Sequence, residues 1–286
     1  MDTVETTERA AFAAWNGGAA AASPRGAPAR IDARVAAGVG HTRCGVLARA
    51  LLAYLLLALT WLGAAHADTG VIERWPVSGR LTFEVLRGED GLKLGEARHA
   101  WTHDGSRYEM ELQLETTGLA GVLYRFQYTQ RSEGRVRTHG LQPERFSVSQ
   151  SGRQPESSQF DWGVRKVAVT RKGVTTDYAL EAGDQDVLSV WHLVATIGID
   201  ALPAELSLVT NRRVSEATVE RLGPETLRLP VGTLATERIR IRARTGKLTI
   251  DFWVADQYRG VPVRILMTDD KGEVLDQKLM SVEIDT

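Results

Sequence analysis

Residues 238–254 read RIRIRARTGKLTIDFWV, and this stretch has the pattern of a β-hairpin. Ile239, Ile241 and Ala243 alternate with arginines before Thr245-Gly246, and apolar residues alternate with polar ones again after it. A period of two is typical of a strand with one buried face, and a turn at Thr245-Gly246 fixes the register. The predicted pairs are Ala243 with Leu248, Ile241 with Ile250, Ile239 with Phe252, Arg240 with Asp251 and Arg238 with Trp253.

The same two-residue rhythm recurs along most of the chain after Ala67. Apolar and polar residues alternate in the segments 81–85, 108–114, 124–128, 145–150, 166–171, 263–267 and 274–284. Asp104-Gly105 suits a two-residue type I′ turn, because Asp and Gly tolerate the positive φ angles of that turn. The register predicted from it pairs Trp101 with Tyr108, His99 with Met110, Ala97 with Leu112 and, on the polar face, Arg98 with Glu111.

One segment has the spacing of a helix instead of a strand. Between Asp186 and Gly198 apolar residues recur three and four positions apart, with Asp186 as the N-cap and Gly198 as the end. We therefore predict a mostly β protein in which a curved antiparallel sheet, or a half-open β-barrel, packs on one main α-helix. The wetter side of that helix holds Ser189 and His192, and the apolar face comprises Val187, Leu188, Trp191, Val194 and Ala195.

Residues 43–67 have the three-part composition of a secretory signal peptide. Arg43 and Arg49 supply the basic region, residues 50–62 form a charge-free apolar run of 13 residues, and Ala65-His66-Ala67 has the small-x-small cleavage pattern. The run is shorter than the ~20 residues of a membrane-spanning helix, although an uncleaved anchor is the alternative. The sequence predicts cleavage after Ala67 and export to the periplasm.

The segments on either side of this signal have different expected roles. Residues 1–42 are rich in Ala and Gly, and we predict a disordered extension that reflects either a misassigned start codon or a long leader. Cys44 is the single cysteine and precedes the apolar run, so it cannot carry the lipid of a lipoprotein. Residues 68–286 are predicted to form one β-rich domain that has no disulfide and depends on its core.

The charge balance argues against nucleic acid as a partner. The first 67 residues hold 6 of the 35 Lys and Arg and 4 of the 36 Asp and Glu, which leaves 29 basic and 32 acidic residues, a net charge of −3, after Ala67. Nucleic-acid-binding domains carry a basic excess instead. With 43% hydrophobic and 25% charged residues, the composition is that of a globular domain.

The sequence contains no recognisable catalytic or metal-binding motif. It has no Gly-x-Gly-x-x-Gly, Gly-Lys-Ser/Thr, Gly-x-Ser-x-Gly or His-Glu-x-x-His pattern. His99 and His103 share a strand face but would stand about 13 Å apart at ~3.3 Å per residue, too far to share a metal ion. We expect packing or surface roles for these two and for His139 and His192, and we expect no cofactor.

Asp186, Ser189 and His192 have the residue types of a catalytic triad at a spacing of three. A working nucleophile is normally presented at a sharp turn beside oxyanion donors, whereas Asp186 fits a helix cap. The acidic pair Asp269-Asp270 lies in a predicted turn, where carboxylates cap backbone N–H groups. The favoured interpretation is that the protein is not an enzyme.

Two groups of residues are candidates for binding. Arg238, Arg240 and Arg242 share one strand face with Trp253 and form a candidate anionic-ligand patch, the alternative being a solvated face paired with Asp251. The second group is a candidate ligand cavity under the sheet, the alternative being core packing, and it comprises Leu119, Leu123, Tyr124, Leu188 and Trp191.

Several short segments together resemble a known family. They are GLKLGE at 91–96, TGL at 117–119 leading to Tyr124, GLQPERF at 140–146, DVLS at 186–189, FWVA at 252–255 and PVRI at 262–265. In this order they resemble the DUF3108 family of exported bacterial proteins over residues 75–284. The family has no assigned function, so the resemblance implies a β-rich envelope protein and no catalytic residues. It also implies similarity to half-barrel lipoprotein carriers of the LolA/LolB type, although only one helix is visible here as a lid.

These observations leave three functions open. The favoured prediction is a non-enzymatic periplasmic protein that binds or carries an apolar or amphipathic ligand, such as a lipid or a lipoprotein, in a cavity. The alternative is a structural or interaction module of envelope assembly that uses an exposed strand edge or the arginine face and has a filled core. An unrecognised hydrolase that uses His192 or His139 is the least favoured. The sequence leaves the oligomeric state open.

Overall fold

The computed structural model describes residues 74–117 and 127–285. The predicted extension and signal peptide, residues 1–67, lie outside these ranges, as do three of the predicted cavity residues, Leu119, Leu123 and Tyr124. In the described part of the chain, no helix is long and apolar enough to span a membrane.

The described residues form one sheet of 15 strands. The strands are β1 (Ser78–Arg87), β2 (Leu92–His103), β3 (Arg107–Thr116), β4 (Gln127–Arg137), β5 (Gly140–Gln150), β6 (Glu156–Asp161), β7 (Lys166–Arg171), β8 (Val174–Ala179), β9 (Gln185–Asp186), β10 (Glu205–Val209), β11 (Val214–Leu229), β12 (Gly232–Ala243), β13 (Leu248–Val254), β14 (Pro262–Asp269) and β15 (Val274–Ile284). The order across the sheet runs from β8 back to β1, then from β15 back to β9. Consecutive strands therefore lie side by side, except β8 and β9, and the first and last strands, β1 and β15, pair in the middle of the sheet.

Alternating side chains build the core on the inner face of this sheet. Leu81, Phe83 and Val85 on β1 and Ile250 and Phe252 on β13 have no measurable exposure. Neighbouring strands run antiparallel, except that β9 and β10 run parallel. The predicted mostly β fold is confirmed as a large, open, curved sheet, in which β8 and β9 are the two edges.

The predicted helix is shorter than expected and lies within the core. A 3-10 turn (Ser189–His192) leads into the α-helix α1 (Leu193–Ile197), which ends at Gly198. Every residue from 187 to 195 is at most 5% exposed. The predicted wetter face for Ser189 and His192 is wrong, because a curved sheet surrounds the segment where a flat one would leave it open to water. His192, for example, packs against the rings of Trp75 and Trp101.

The two predicted hairpins have different outcomes. The register of β12 and β13 is confirmed, with Arg240 opposite Asp251 and Ile241 opposite Ile250. The register of β2 and β3 differs from the prediction by two residues, since Tyr108 lies opposite His103 and not Trp101. The reason is local: the Asp104 carboxylate accepts hydrogen bonds from the N–H groups of Ser106 and Arg107, which places the two-residue turn one position later than predicted.

Side chains bridge the two sides of the curved sheet. Gln185 Nε2 on β9 donates to the carbonyl of Leu141 on β5 (2.8 Å). Ser158 Oγ on β6 donates to the carbonyl of Thr210, which follows β10 (3.0 Å). These contacts lie on β5 and β6. Strands β7 and β8 lie beyond them in the sheet, and β8 forms its free edge.

The long hairpin of β11 and β12 covers part of the outer face. A bulge between Arg221 and Gly223 interrupts the ladder of β11 with β12. In the turn of the hairpin, the N–H of Val231 donates to the carbonyl of Leu279 on β15 (3.2 Å). Trp253 Nε1 on β13 also donates to Glu225 on β11 (2.8 Å). Outward-facing side chains of β13 are buried beneath this cover.

Candidate functional site

The predicted arginine patch is centred on a buried carboxylate of its own chain. Arg238 Nη2 donates to Asp251 Oδ2 (2.6 Å), and Arg240 donates to both oxygens through Nε (2.6 Å) and Nη2 (2.7 Å). Asp251 is 2% exposed. Burial acts to raise the pKa of Asp251, but the hydrogen bonds from Arg240 and Arg238 outweigh it and hold the pKa below its usual value.

Trp253 is held between two guanidinium groups. The Cζ atoms of Arg238 and Arg264 each lie 4.7 Å from the centroid of its ring, and only 1% of the residue is exposed. Arg264 in turn donates to the buried carboxylate of Asp276 (3.0 and 2.9 Å). The cation–π and ionic contacts therefore link β12, β13, β14 and β15 to one another.

Three of the four predicted patch residues thus face partners within the protein. Arg242 differs, because it is exposed and pairs in register with Thr249 and Thr218. Within the described ranges, no carboxylate lies at salt-bridge distance from Arg242. Anion binding at this face stays a prediction, and of the four residues Arg242 is the one that solvent reaches freely.

Two of the five predicted cavity residues are described, and both belong to the packed core. Leu188 and Trp191 have no measurable exposure. The ring of Trp191 stacks on that of His99, with centroids 5.1 Å apart and planes inclined by 26°. A cavity lined by Leu119, Leu123 and Tyr124 stays a prediction.

The triad-like residues are engaged in capping and packing. Asp186 Oδ1 accepts hydrogen bonds from the N–H groups of Leu188 and Ser189, both 2.8 Å long, but Leu188, and not the predicted Asp186, stands at the N-cap position of the 3-10 turn. Ser189 Oγ accepts from the N–H of Asp186 (3.1 Å) and donates to its carbonyl (3.2 Å). His192 Nδ1 accepts from Trp75 Nε1 (3.1 Å). In a catalytic triad the Ser189 hydroxyl would bond to His192, and His192 would bond to the Asp186 carboxylate. Here the Ser189 hydroxyl bonds to the backbone of Asp186, and His192 bonds to Trp75.

A chain of buried hydrogen bonds continues from Asp186 into the sheet. Ser132 Oγ donates to Asp186 Oδ2 (2.6 Å) and lies 3.0 Å from the hydroxyl of Tyr108. Burial raises the pKa of Asp186 to about 6, although hydrogen bonds from Ser132, Ser189 and Leu188 favour the charged form.

Of the four histidines after Ala67, His103 and His192 both pack against Trp75, and His99 lies near enough to His192 to interact with it electrostatically. Burial lowers the pKa values of His99 and His192 to about 3. His99 Nε2 lies 3.3 Å from Gln277 Oε1, His103 is half-buried against Trp75, and His139 is exposed. Among the described residues, no three His, Cys, Asp or Glu side chains are arranged to hold a metal ion.

The edge strand β8 presents polar and apolar side chains directly to solvent. Val174 is 67% exposed, Thr175, Thr176 and Asp177 are also exposed, and Tyr178 is half-buried. In the described part of the chain, β8 pairs with β7 on one side and with no strand on the other. Such an edge is a template for another strand.

The turn before β8 determines which of its backbone groups point outward. Lys172 (φ 49°) and Gly173 (φ 77°) form the two-residue turn, and Arg171 pairs with Val174 across it. Positive φ at both positions marks a type I′ turn, whose flanking residues exchange hydrogen bonds with each other. Since the pattern alternates along an antiparallel pair, the N–H and C=O groups of Thr175, Asp177 and Ala179 point toward the open side.

A groove lies on the outer face next to this edge. It has a volume of about 800 Å³, and Trp162, Lys166 and Asp177 are among the residues that line it. Trp162 stacks on Phe160 with planes inclined by 12°, and its Nε1 donates to the carbonyl of Pro143 (2.6 Å). The open edge and the groove share Asp177, so they form one continuous surface.

Sequence reasoning did not identify this edge. The alternating segment 166–171 was predicted, but residues 174–179 lack alternation because Thr175, Thr176 and Asp177 are all polar. Polarity on both faces of a segment that follows a hairpin turn is itself a signal of an edge strand. Burial of Trp253 and Ser189 was also missed, because it depends on distant segments that cover them.

One comparison with a solved structure agrees with this fold. The chain resembles a β-barrel-like protein of the domain of unknown function DUF1849 from Brucella abortus, with a TM-score of 0.51 and 12% identity over 74% of this chain and 99% of that one. A "putative lipoprotein" from Parabacteroides distasonis has a TM-score of 0.30 and 9% identity over 73% of this chain and 98% of that one. No curated protein matches the chain.

A family model decides the membership of the chain. The model described as "Protein of unknown function (DUF3108)" matches residues 80–279, which run from β1 to β15. The match covers more than half of the chain and includes both strands that close the sheet at its centre. The chain belongs to the DUF3108 family.

Proposed function

We propose that this protein is a non-enzymatic interaction module of the bacterial cell envelope, exported to the periplasm, that binds partner proteins by adding a strand to the edge β8. The observation that carries the proposal is the contrast between the inside and the edge of the sheet. Nine consecutive residues, 187–195, are at most 5% exposed within the curve of the sheet, whereas Val174 at the edge is 67% exposed. The inside is occupied by the protein itself, and the open edge is available.

Strand addition explains the chemistry of this edge. The outward N–H and C=O groups of Thr175, Asp177 and Ala179 supply main-chain hydrogen bonds, which give affinity without demanding a particular partner sequence. The groove beside the edge, where Trp162 and Lys166 lie, would receive side chains of the added strand and supply selectivity. The signal peptide expected at residues 43–67 supports a partner within the envelope.

Site-directed photo-crosslinking in cells tests this function. A photoreactive residue at Val164, which is 64% exposed and lines the groove beside β8, reports on this surface. We expect crosslinks to partner proteins in the parent. These crosslinks should disappear in Thr175→Pro, because proline lacks the outward N–H, and persist in Thr175→Ala, because alanine keeps it. Equal crosslinks in both variants would contradict strand addition at β8.

Lipid carriage, which the sequence favours, makes a different prediction. A carrier would co-purify with a ligand of lipid mass, and native mass spectrometry of the purified protein would detect it. Leu188 and Trp191 pack in the core without measurable exposure, so a ligand beside them would have to displace core side chains. We therefore expect a spectrum without such an adduct.

A further inference from the structure

The self-complementarity of β8 points to a particular partner. We infer that β8 pairs antiparallel with β8 of a second copy of this chain, so that two sheets join at their open edges about a twofold axis. This inference rests on the proposed function, because it names the strand that is added.

Only some registers are possible between two copies of this strand. Outward-pointing residues must face outward-pointing residues for the backbone to form hydrogen bonds. For β8 these are Thr175, Asp177 and Ala179. Because odd-numbered residues must pair with odd-numbered ones, the twofold axis lies at a residue that faces its own copy, and not midway between two residues. An axis at Asp177 would place two aspartates directly opposite each other, which is unfavourable.

An axis at Thr176 gives favourable pairs along the strand. Thr175 and Asp177 of the two copies then exchange hydrogen bonds, and the two Thr176 side chains face each other. On the same face, Val174 of each copy lies opposite Tyr178 of the other. Aromatic with β-branched pairs and Thr with Thr pairs are the cross-strand combinations that stabilise sheets. Val174 is 67% exposed in the single chain, and this pairing would cover it.

The charges at the ends of β8 fit the same register. Lys172 is exposed at the tip of the β7–β8 hairpin, and Glu181 is exposed just after the strand. With the axis at Thr176, Lys172 of one copy falls opposite Leu180 of the other, which places it beside Glu181. Symmetry repeats this contact at the other end. An axis at Thr175 would instead place Lys172 of each copy opposite Tyr178 of the other, two residues further from Glu181.

The interface is small, and this determines how the dimer behaves. Two residue pairs exchange backbone hydrogen bonds, and standard protein interfaces are larger than one edge strand provides. We therefore expect a reversible dimer that forms as the protein concentration rises, and that Thr175→Pro abolishes while Thr175→Ala retains. Sedimentation equilibrium of the purified protein over a wide concentration range measures this.

Disulfide trapping tests the register itself. In a background in which Cys44 is replaced by Ser, Thr176→Cys places two thiols opposite each other at a non-hydrogen-bonded pair, where the ~4.5 Å between Cα atoms suits a disulfide. Thr175→Cys faces Asp177 of the second copy and serves as the matched control. We expect the disulfide-linked dimer of Thr176→Cys to form about tenfold faster than that of the control.

The possible outcomes separate this inference from the proposed function. A monomer at every concentration, or equal trapping rates for the two cysteine variants, would overturn pairing between copies. If crosslinks to other envelope proteins are then still lost in Thr175→Pro, the edge binds a different partner and the proposed function stands. If those crosslinks also fail to depend on Thr175→Pro, both ideas fail.

Discussion

The buried ionisable side chains of the core make opposing contributions to stability as pH changes. His99 and His192 have pKa values of about 3 in the folded protein, so below their usual value of 6.5 the unfolded chain takes up protons that the folded one does not. Their contribution to stability is therefore lost as pH falls. Asp186, with a pKa of about 6 against a usual 3.8, behaves oppositely, because the folded state keeps a proton that the unfolded chain has released.

Replacing Asp186 by Asn should make the protein more sensitive to acid. Between about pH 4 and pH 6, unfolding takes up two protons at the histidines and releases one from Asp186, and the variant removes that release. The slope of unfolding free energy against pH should rise by about 1.4 kcal/mol per pH unit. Between pH 4 and pH 7 the unfolding free energy of the variant should therefore increase by about 3 kcal/mol more than that of the parent. Urea titrations at pH 4, 5, 6 and 7 measure this difference.

A matched replacement isolates the buried carboxylate. Asp270→Asn changes an exposed aspartate in the turn after β14 and should leave the slope unchanged. In Asp186→Asn the amide oxygen still accepts from Leu188 and Ser189, and the amide N–H₂ can donate to Ser132, so the local hydrogen bonds are kept. Parallel slopes in Asp186→Asn and the parent would show that Asp186 is ionised throughout this range in the folded protein.

The sequence predicts what a side chain bonds to locally better than how deeply it is buried. The pairing of Arg240 with Asp251 follows from spacing within a short segment, and the structure has it. The Asp186 carboxylate accepts the nearby N–H of Ser189, although the N-cap position itself falls on Leu188. The burial of Ser189 does not follow, because a helical period shows which side faces the sheet but not whether the sheet curves around to the other side.

The registers of the two predicted hairpins also depend on contacts that the alternating pattern alone does not show. The β12–β13 register is correct, with Arg242 opposite Thr249, although the turn bond runs from the N–H of Gly246 to the carbonyl of Ala243. The β2–β3 register is wrong by two because the Asp104 carboxylate caps Ser106 and Arg107, and this contact moves the turn. A shift of two keeps every side chain on its face, so the predicted core on these strands survives the error.

The outer arginine contacts should stabilise the packing of β12 on β13. Asp251→Asn removes the charge that Arg238 and Arg240 share and leaves an amide N–H₂ facing two guanidinium groups. Breaking a buried ion pair costs about 3–5 kcal/mol, but both arginines are partly exposed, so we expect a loss of about 2 kcal/mol in unfolding free energy. Urea titration at pH 7 measures it as a lower midpoint with an unchanged slope.

An exposed cross-strand ion pair provides the comparison. Arg80 and Glu283 lie 3.6 Å apart on β1 and β15, with 60% and 71% of their side chains exposed. Glu283→Gln should cost less than about 0.5 kcal/mol, because water screens this pair. If Asp251→Asn costs no more than Glu283→Gln, the buried contact is worth no more than a surface one, and the arginine face is free to exchange its partner for another anion.

The pairing of the first and last strands at the centre of the sheet is a long-range feature that no short segment reveals. Gly79 on β1 pairs with Ile284 on β15, although each strand by itself has an ordinary alternating pattern. The sequence predicted strands in both places, but it contained no signal that they pair with each other. Sequential hairpins alone would leave β1 and β15 as the two edges, whereas their pairing makes β8 and β9 the edges.

This topology predicts which break in the chain the fold tolerates. A circular permutant that joins Thr286 to Asp68 by a short Gly/Ser linker and opens between Asp270 and Lys271 keeps β15 attached beside β1. We expect it to unfold in one cooperative transition, since the N–H of Asp285 already bonds to the carbonyl of Ser78 (3.2 Å). A deletion that ends at Asp270 has the same break but lacks β15.

The deletion should have no cooperative transition in urea followed by tryptophan fluorescence. Leu275 and Leu279 are 2% and 0% exposed, and losing two such leucines removes about 4–10 kcal/mol, which is comparable with the ~5–15 kcal/mol that holds a typical domain folded. Arg264 would also lose Asp276, and β1 and β14 would be left as two new edges. If the deletion unfolds as cooperatively as the permutant, the two halves of the sheet are stable without β15, and its pairing with β1 does not hold the fold together.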